Sequence, residues 1–202
     1  VSSEDPLFAR LGSSFISLQK RLYGNSVKDQ HLYNCDTFNE NNPISSDPTY
    51  LKSISSAVFL SMRAADPLAT WIMQDWLFLD TNTPGGFWTP PAIAAFLSGV
   101  PDDGMIVLDL TSDAEPIWPE IVANKKPFIW CMLHNYGGMR NLYGNFTVLR
   151  TAPKLAFQAA QGLMLGTGLT MEAINTNPNV YEYMAEVSQH GNRDVPEEYD
   201  WS

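Results

Sequence analysis

Two glutamates, Glu40 and Glu172, stand where chemistry is easiest to place. Each follows a short apolar run of strand length. Glu40 lies in Asn34–Pro43, NCDTFNENNP, directly after Asn39. Glu172 follows Gly166-Thr167-Gly168 by a short turn. A pair of carboxyls on separate strand ends suits cleavage of a glycosidic bond. One must donate a proton to the leaving oxygen; the other must be ionised, to attack the anomeric carbon or activate water. Their surroundings must push the two pKa values apart. Tryptophan rings nearby give flat apolar platforms for sugar faces. An amide such as Asn39 can hold a sugar hydroxyl or the working carboxylate.

Other strand ends carry polar or aromatic groups too: Asp75 and Trp76, then Asp109, then His134 and Asn135. The opposite ends hold mostly Gly, Pro and Lys. In α/β folds ligands bind beyond the carboxyl ends of the strands, so this asymmetry marks a functional face. Each residue also has a plainer reading. Glu40 is a solvated loop charge or a catalyst. Glu172 is an acid in a helix's first turn, where the dipole favours it, or a catalyst. Trp76 is packing or platform, Asp109 an orienting acceptor or a catalyst. His134 is a satisfied core histidine or a donor at the site, with no companion ligands for a metal.

These residues are positioned by helices alternating with apolar runs. Asp5-Pro6, Asp47-Pro48 and Thr89-Pro90 each read as an N-cap followed by proline at the first helical position. Behind them apolar residues recur at helical spacing: Phe8, Leu11, Phe15, Leu18 and Leu22; Leu51, Ile54, Val58 and Met62; Ile93, Phe96 and Leu97. Strands are expected over 31–37, 70–74, 105–110, 128–133 and 162–166. MIVLDL and FIWCML are continuous rather than alternating, as parallel strands covered on both faces are. After the fourth run come a glycine-rich loop, Tyr136-Gly137-Gly138, and a helical stretch broken by Gly144 and Pro153. The pattern leaves a doubly wound sheet or a (β/α) barrel. No G-x-G-x-x-G or Walker sequence follows a strand, which lowers the nucleotide-binding option.

Composition narrows the partners. The 202 residues carry 12 basic and 22 acidic side chains, a net charge of −10. That disfavours nucleic-acid phosphates and anionic membrane surfaces. No run of eighteen apolar residues is present, so no membrane span is expected. The start, VSSEDPLFARL, lacks the basic and apolar regions of a signal peptide. Cys35 and Cys131 are expected as buried free thiols. Asn145-Phe146-Thr147 is a glycosylation sequon.

The blocks CDTFNENNPISSDPTYL (35–51), WIMQDWLF (71–78), IVLDL (106–110), PFIWCMLHNYGG (127–138) and LGTGLTMEAI (165–174) resemble the α-N-acetylglucosaminidases of glycoside hydrolase family 89. They run in the family's order at similar spacing, over nearly the whole chain. The resemblance implies a retaining exo-glycosidase acting on terminal α-linked N-acetylglucosamine, with Glu40 as general acid/base and Glu172 as nucleophile. It implies Asn39, Trp76, Cys131, His134 and Asn135 as pocket lining, and no metal or organic cofactor; glycosylation at Asn145 is expected from its sequon alone. Two departures stand out. Met171-Glu172-Ala173 replaces the family's frequent Pro-Glu-Gly, and Asn177-Pro178 replaces an Asn-Glu pair of the animal enzyme.

The fold the resemblance implies is α/β: the later part, about five strands, of a (β/α)8 TIM barrel over 1–186, with 187–202 as the start of an all-α C-terminal domain or a linker. Three strands then lie upstream, and the chain is expected to be a piece of a longer polypeptide or to fold against companion chains. The animal enzyme is lysosomal and degrades heparan sulfate, so a lysosomal, vacuolar or secreted setting is implied. A homo-oligomer stays open. The alternatives are a non-catalytic fragment needing companion chains, and a retaining exo-glycosidase of another sugar.

Overall fold

The computed structural model describes residues 5–24, 31–38, 41–79, 86–135, 144–172 and 176–190. Strands β1 (Leu32–Asn34), β2 (Thr70–Gln74), β3 (Met105–Asp109), β4 (Phe128–Met132) and β5 (Met164–Leu169) alternate with helices α1 (Pro6–Tyr23), α2 (Pro48–Ala65), α3 (Pro90–Leu97), α4 (Trp118–Ala123), α5 (Phe146–Ala159) and α6 (Pro178–His190). All four pairings are parallel, and the spatial order is β1-β2-β3-β4-β5. A doubly wound sheet reverses its strand order at a switch point. Here each strand lies beside its sequence neighbour, and α1 packs on α2, α2 on α3 and α3 on α4. This one-way winding is a barrel segment with its outer ring of helices.

Burial alternates along the strands. Trp71, Met73, Met105, Val107, Phe128 and Trp130 are sealed against the helix layer. Ile72, Ile106, Leu108 and Ile129 stand between them, half-buried, with Ile72 opposite Ile106 and Leu108 opposite Ile129. They line the concave face, the interior of the barrel.

The helix starts follow their sequence signals. Asp5 Oδ1 accepts from Leu7 N at 2.8 Å, and Asp47 Oδ1 accepts from Thr49 N and Tyr50 N. Thr89 precedes α3 without a side-chain capping bond.

Three expectations change. β1 spans only Leu32–Asn34, so Cys35 and Phe38 belong to the turn beyond it. The fifth strand runs over Met164–Leu169 and not 162–166, because Gly162 (φ 88°) turns the chain first. Thr167 and Gly168 are therefore in β5. Proline does not break α5: Pro153 lies inside it, buried with Leu149 and Ala156 on the core face. That packing outweighs the lost helical hydrogen bond. α4 and the greater part of α6 carried no sequence expectation. The Tyr136–Gly138 loop and 191–202 lie outside the described residues.

The amino ends of the strands are built for stability. Lys126 is buried before β4, and its Nζ donates to Val100 O at 2.7 Å and Asp102 Oδ1 at 3.1 Å. Asp66, also buried, follows α2 and gathers His31, Tyr33 and Lys20. Among the described residues no helix is long and apolar enough to cross a membrane.

Candidate active site

The carboxyl ends of the five strands form one rim. At β1 the chain leaves the sheet at Cys35 and turns through Phe38, whose φ of 71° is left-handed. Phe38 O accepts from Asn41 N at 3.0 Å and from Asn41 Nδ2 at 3.2 Å. The Phe38 ring lies 6.1 Å from both Trp88 and Phe96, in an aromatic cluster with Phe78. Two indoles from β2 and its extension brace the turn: Trp71 Nε1 donates to Cys35 O at 2.8 Å, and the Trp76 side chain to the Asp36 carboxylate. Asn39 and Glu40 lie outside the described residues.

Trp76 opens a short 3-10 turn, Trp76–Phe78, and is half-buried. Beside it, at the ends of β2 and β3, two buried aspartates meet. Asp75 Oδ1 accepts from Leu110 N at 3.1 Å, while Oδ2, sealed from solvent, meets no donor among the described residues. Asp109 accepts from Ile117 N and Trp118 N at the start of α4. Burial, then the Asp109 charge, pushes Asp75 well above the usual carboxylate range; burial raises Asp109 as well. The better-served Asp109 keeps the charge, and Asp75 holds the proton between the two carboxyls.

This pair gives a pH-dependent stability. A raised folded-state pKa means that the native protein holds a proton the unfolded chain releases above its ordinary 3.8. The stabilisation is complete below that value and is lost as pH rises through the folded-state range. Asp75→Asn supplies a permanent N–H in place of the proton. Its melting temperature should match the parent's near pH ~4 and exceed it increasingly toward pH ~8. A difference constant with pH would exclude the shared proton.

β4 brings three expected residues together. Cys131 is buried on the barrel-interior face, its Sγ 2.8 Å from where a Cβ on Gly168 would stand, so only glycine fits there. Burial, with Asp75, Asp109 and Asp113 nearby, pushes its thiol up to about 12. Cys131 is thus held as the neutral thiol. Both cysteines are free thiols, Cys131 buried and Cys35 only partly so. His134 is buried with φ 68°, and Asn177 Nδ2 donates to its Nε2 at 3.0 Å. Burial lowers its pKa, with Asp113 opposing. The ring is therefore neutral, with its proton on Nδ1. Asn135 is buried, and its N donates to Leu133 O.

Glu172 lies beyond β5, exposed, two residues after Thr170. Thr170 ties that end inward: its N donates to Met132 O, and its Oγ1 to Leu110 O at 3.0 Å and Met132 O at 3.3 Å. Asn145 is exposed before α5, and its side chain accepts from Val148 N. Among the described residues no His/Cys/Asp/Glu group could hold a metal. Sequence reasoning missed Asp36, Asp113 and Thr170. Their roles arise from contacts across strands, and no spacing signals them.

A sequence profile of the α-N-acetylglucosaminidase (NAGLU) TIM-barrel domain matches residues 1–190. The chain belongs to the α-N-acetylglucosaminidase family. It is 39% identical over 188 residues to human α-N-acetylglucosaminidase, covering 93% of this chain and 24% of the human one. A family 89 glycoside hydrolase from Clostridium perfringens, in complex with 2-acetamido-1,2-dideoxynojirimycin, superposes with a TM-score of 0.76 at 29% identity, covering 96% of this chain and 20% of that one. The same bacterial enzyme, as a variant with two Glu-to-Gln substitutions in complex with its substrate GlcNAc-α-1,4-galactose, gives 0.76 at 27% identity over 97% of this chain and 20% of that one. The chain thus spans about a quarter or less of the relatives it matches. Its five one-way strands are the α-N-acetylglucosaminidase family's barrel in part.

Proposed function

We propose that this chain carries both catalytic carboxyls of a retaining exo-α-N-acetylglucosaminidase. Glu40 is the general acid/base and Glu172 the nucleophile. The observation that carries the reading is the strand order, with one glutamate beyond β1 and the other beyond β5. In a closed eight-stranded barrel, strands four apart stand on opposite sides of the mouth, roughly 15 Å across given the usual strand spacing and tilt. Side chains of glutamate length that span such a mouth from opposite sides suit the ~5–5.5 Å carboxyl separation of a retaining enzyme. The clostridial relative, with its α-linked N-acetylglucosamine substrate and two substituted glutamates, supports a carboxyl pair and that sugar.

In the reaction, Glu172 attacks the anomeric carbon of the α-glycoside from the β face while Glu40 protonates the leaving oxygen. The C–O bond to the aglycone breaks and a β-linked glycosyl-enzyme forms. Glu40 then takes a proton from water, which attacks from the α face and frees Glu172. Trp76, Cys131, His134 and Asn135, with Asn39, line the sugar's pocket, and no metal or cofactor takes part.

The anomer first released decides the stereochemistry. Proton NMR of the full-length gene product acting on an aryl α-N-acetylglucosaminide should show α-N-acetylglucosamine before mutarotation. β first would exclude double displacement. A panel of aryl α-glycosides tests the sugar, since another preferred sugar would replace this assignment.

The open sheet, whose outer strands β1 and β5 each have one strand partner among the described residues, favours a need for companion segments of the same enzyme. In this reading residues 1–186 are barrel and an α-helical domain begins near 187, with α6 crossing between them. A lysosomal, vacuolar or secreted setting, with heparan sulfate as a glycan source, accords with two features. Asn145 is exposed, and a glycan on its Nδ2 leaves Oδ1 free to cap α5. The Asp75–Asp109 pair favours acid. The net charge of −10 repels a sulfated chain but not one neutral terminal sugar.

A further inference from the structure

The end of β4 is held more tightly than a strand end needs. Ser112 N donates to Cys131 O at 3.1 Å. One residue on, Asp113 accepts two consecutive backbone N–H groups, Leu133 N at 3.0 Å on Oδ1 and His134 N at 3.1 Å on Oδ2. His134 meanwhile has the left-handed backbone (φ 68°) that a non-glycine residue keeps only where its surroundings impose it. Asp113 imposes it, because both N–H groups must turn to one carboxylate.

The segment that carries Glu172 is tied to this same short stretch at both ends. Before Glu172, Thr170 bonds Met132 O through N and Oγ1. After it, Asn177 bonds the His134 ring at 3.0 Å, and Tyr181 OH donates to Leu133 O at 3.1 Å. The His134 and Tyr181 rings meet edge to face at 5.7 Å. Residues 132–134 are therefore a template to which the β5–α6 connection is fastened, and Asp113 fixes the template's shape.

We propose that Asp113 is a positioning residue for Glu172: it holds the end of β4 in the one conformation that lets Thr170 and Asn177 span the β5–α6 connection. The proposal rests on the reading of Glu172 as nucleophile. Asp113 itself touches neither the sugar nor the carboxylate that attacks it.

Asp113→Asn turns an amide N–H toward one of the two backbone donors, so one hydrogen bond is lost with little change in shape. Asn177→Ser keeps a good N-cap residue before α6 but cannot reach His134. In the full-length gene product, each should lower kcat on an aryl α-N-acetylglucosaminide about 10–100-fold, as misplacement of a reacting group does, with KM within about threefold. Hydrogen exchange should speed up at the Leu133 and His134 amides in Asp113→Asn. Glu172→Gln is the control. If Glu172→Gln is inactive while both variants keep kcat within about threefold of the parent, the positioning role is overturned. A rise in KM with unchanged kcat overturns it too. If Glu172→Gln is active, the nucleophile assignment is what has failed. Should Asp113→Asn not fold, Asn177→Ser carries the kinetic test alone.

Discussion

Glu172→Ala should lower kcat on an aryl α-N-acetylglucosaminide by on the order of 10⁴-fold or more, the scale expected for losing the proposed covalent nucleophile. Azide restores part of the loss, and the product is the β-glycosyl azide. The alanine leaves a hole on the β face of the anomeric carbon. Azide fills it and displaces the aglycone in one inverting step, with Glu40 still protonating the leaving oxygen. Glu40→Ala behaves differently. Its loss is about 10²–10⁴-fold, the range for general acid–base catalysis. The loss is smallest with an acidic phenol, which leaves without a proton. The β-linked glycosyl-enzyme then accumulates, and azide attacks it from the α face to give the α-glycosyl azide. Opposite anomers from the two variants assign the two roles by product analysis alone. The same anomer from both would reject the assignment, as would parent-like turnover by Glu172→Ala.

How much of this was legible in the sequence depends on range. MIVLD and FIWCM declared themselves as parallel strands because their apolar runs are continuous, and the Asp-Pro starts of α1 and α2 are chemical signals confined to two residues. β5 was misplaced because a glycine-rich run carries no β-branched signature; its register is set by Cys131 facing Gly168. α5 was expected to break at Pro153 because local preference ignores the core beneath it. The site divides likewise. Glu172 beyond β5, and His134 with Asn135 after β4, could be placed by counting. The left-handed backbone of His134 and its clasp by Asp113, twenty residues earlier for Leu133 and twenty-one for His134, could not, since both follow from the meeting of two loops. Nor could the sharing of a proton by Asp75 and Asp109, which sit on adjacent strands.

Asp66→Ala costs about 3–5 kcal/mol, the range for stripping one partner from a buried charged network. At this chain length that is a fall in Tm of roughly 10 °C. Asp66 is 1% exposed and accepts from His31 Nδ1 at 2.5 Å, Tyr33 OH at 2.6 Å and Leu68 N at 3.1 Å, with Lys20 Nζ at 3.4 Å. One carboxylate thus joins the end of α1, the start of β1 and the turn after α2. Its removal leaves the Tyr33 hydroxyl buried and unserved. Burial alone would raise this carboxyl, but the bonds from Tyr33, His31 and Leu68, with the Lys20 charge, outweigh it and hold it at about 2. The sign is opposite to that of Asp75. A depressed folded-state pKa contributes stability above the ordinary 3.8 and loses it as pH falls toward 2. Asp66 therefore shapes the acid limb of the stability curve, and the Asp75–Asp109 pair contributes stability that is lost as pH rises. Thermal melts across pH separate the two. Asp66→Asn should lower Tm throughout and flatten the acid limb, whereas Asp75→Asn should flatten only the alkaline one. An unchanged acid limb in Asp66→Asn would mean that the Asp66 network holds no net charge, and a Tm within about 2 °C of the parent would mean that it does not hold α1 and β1 to α2.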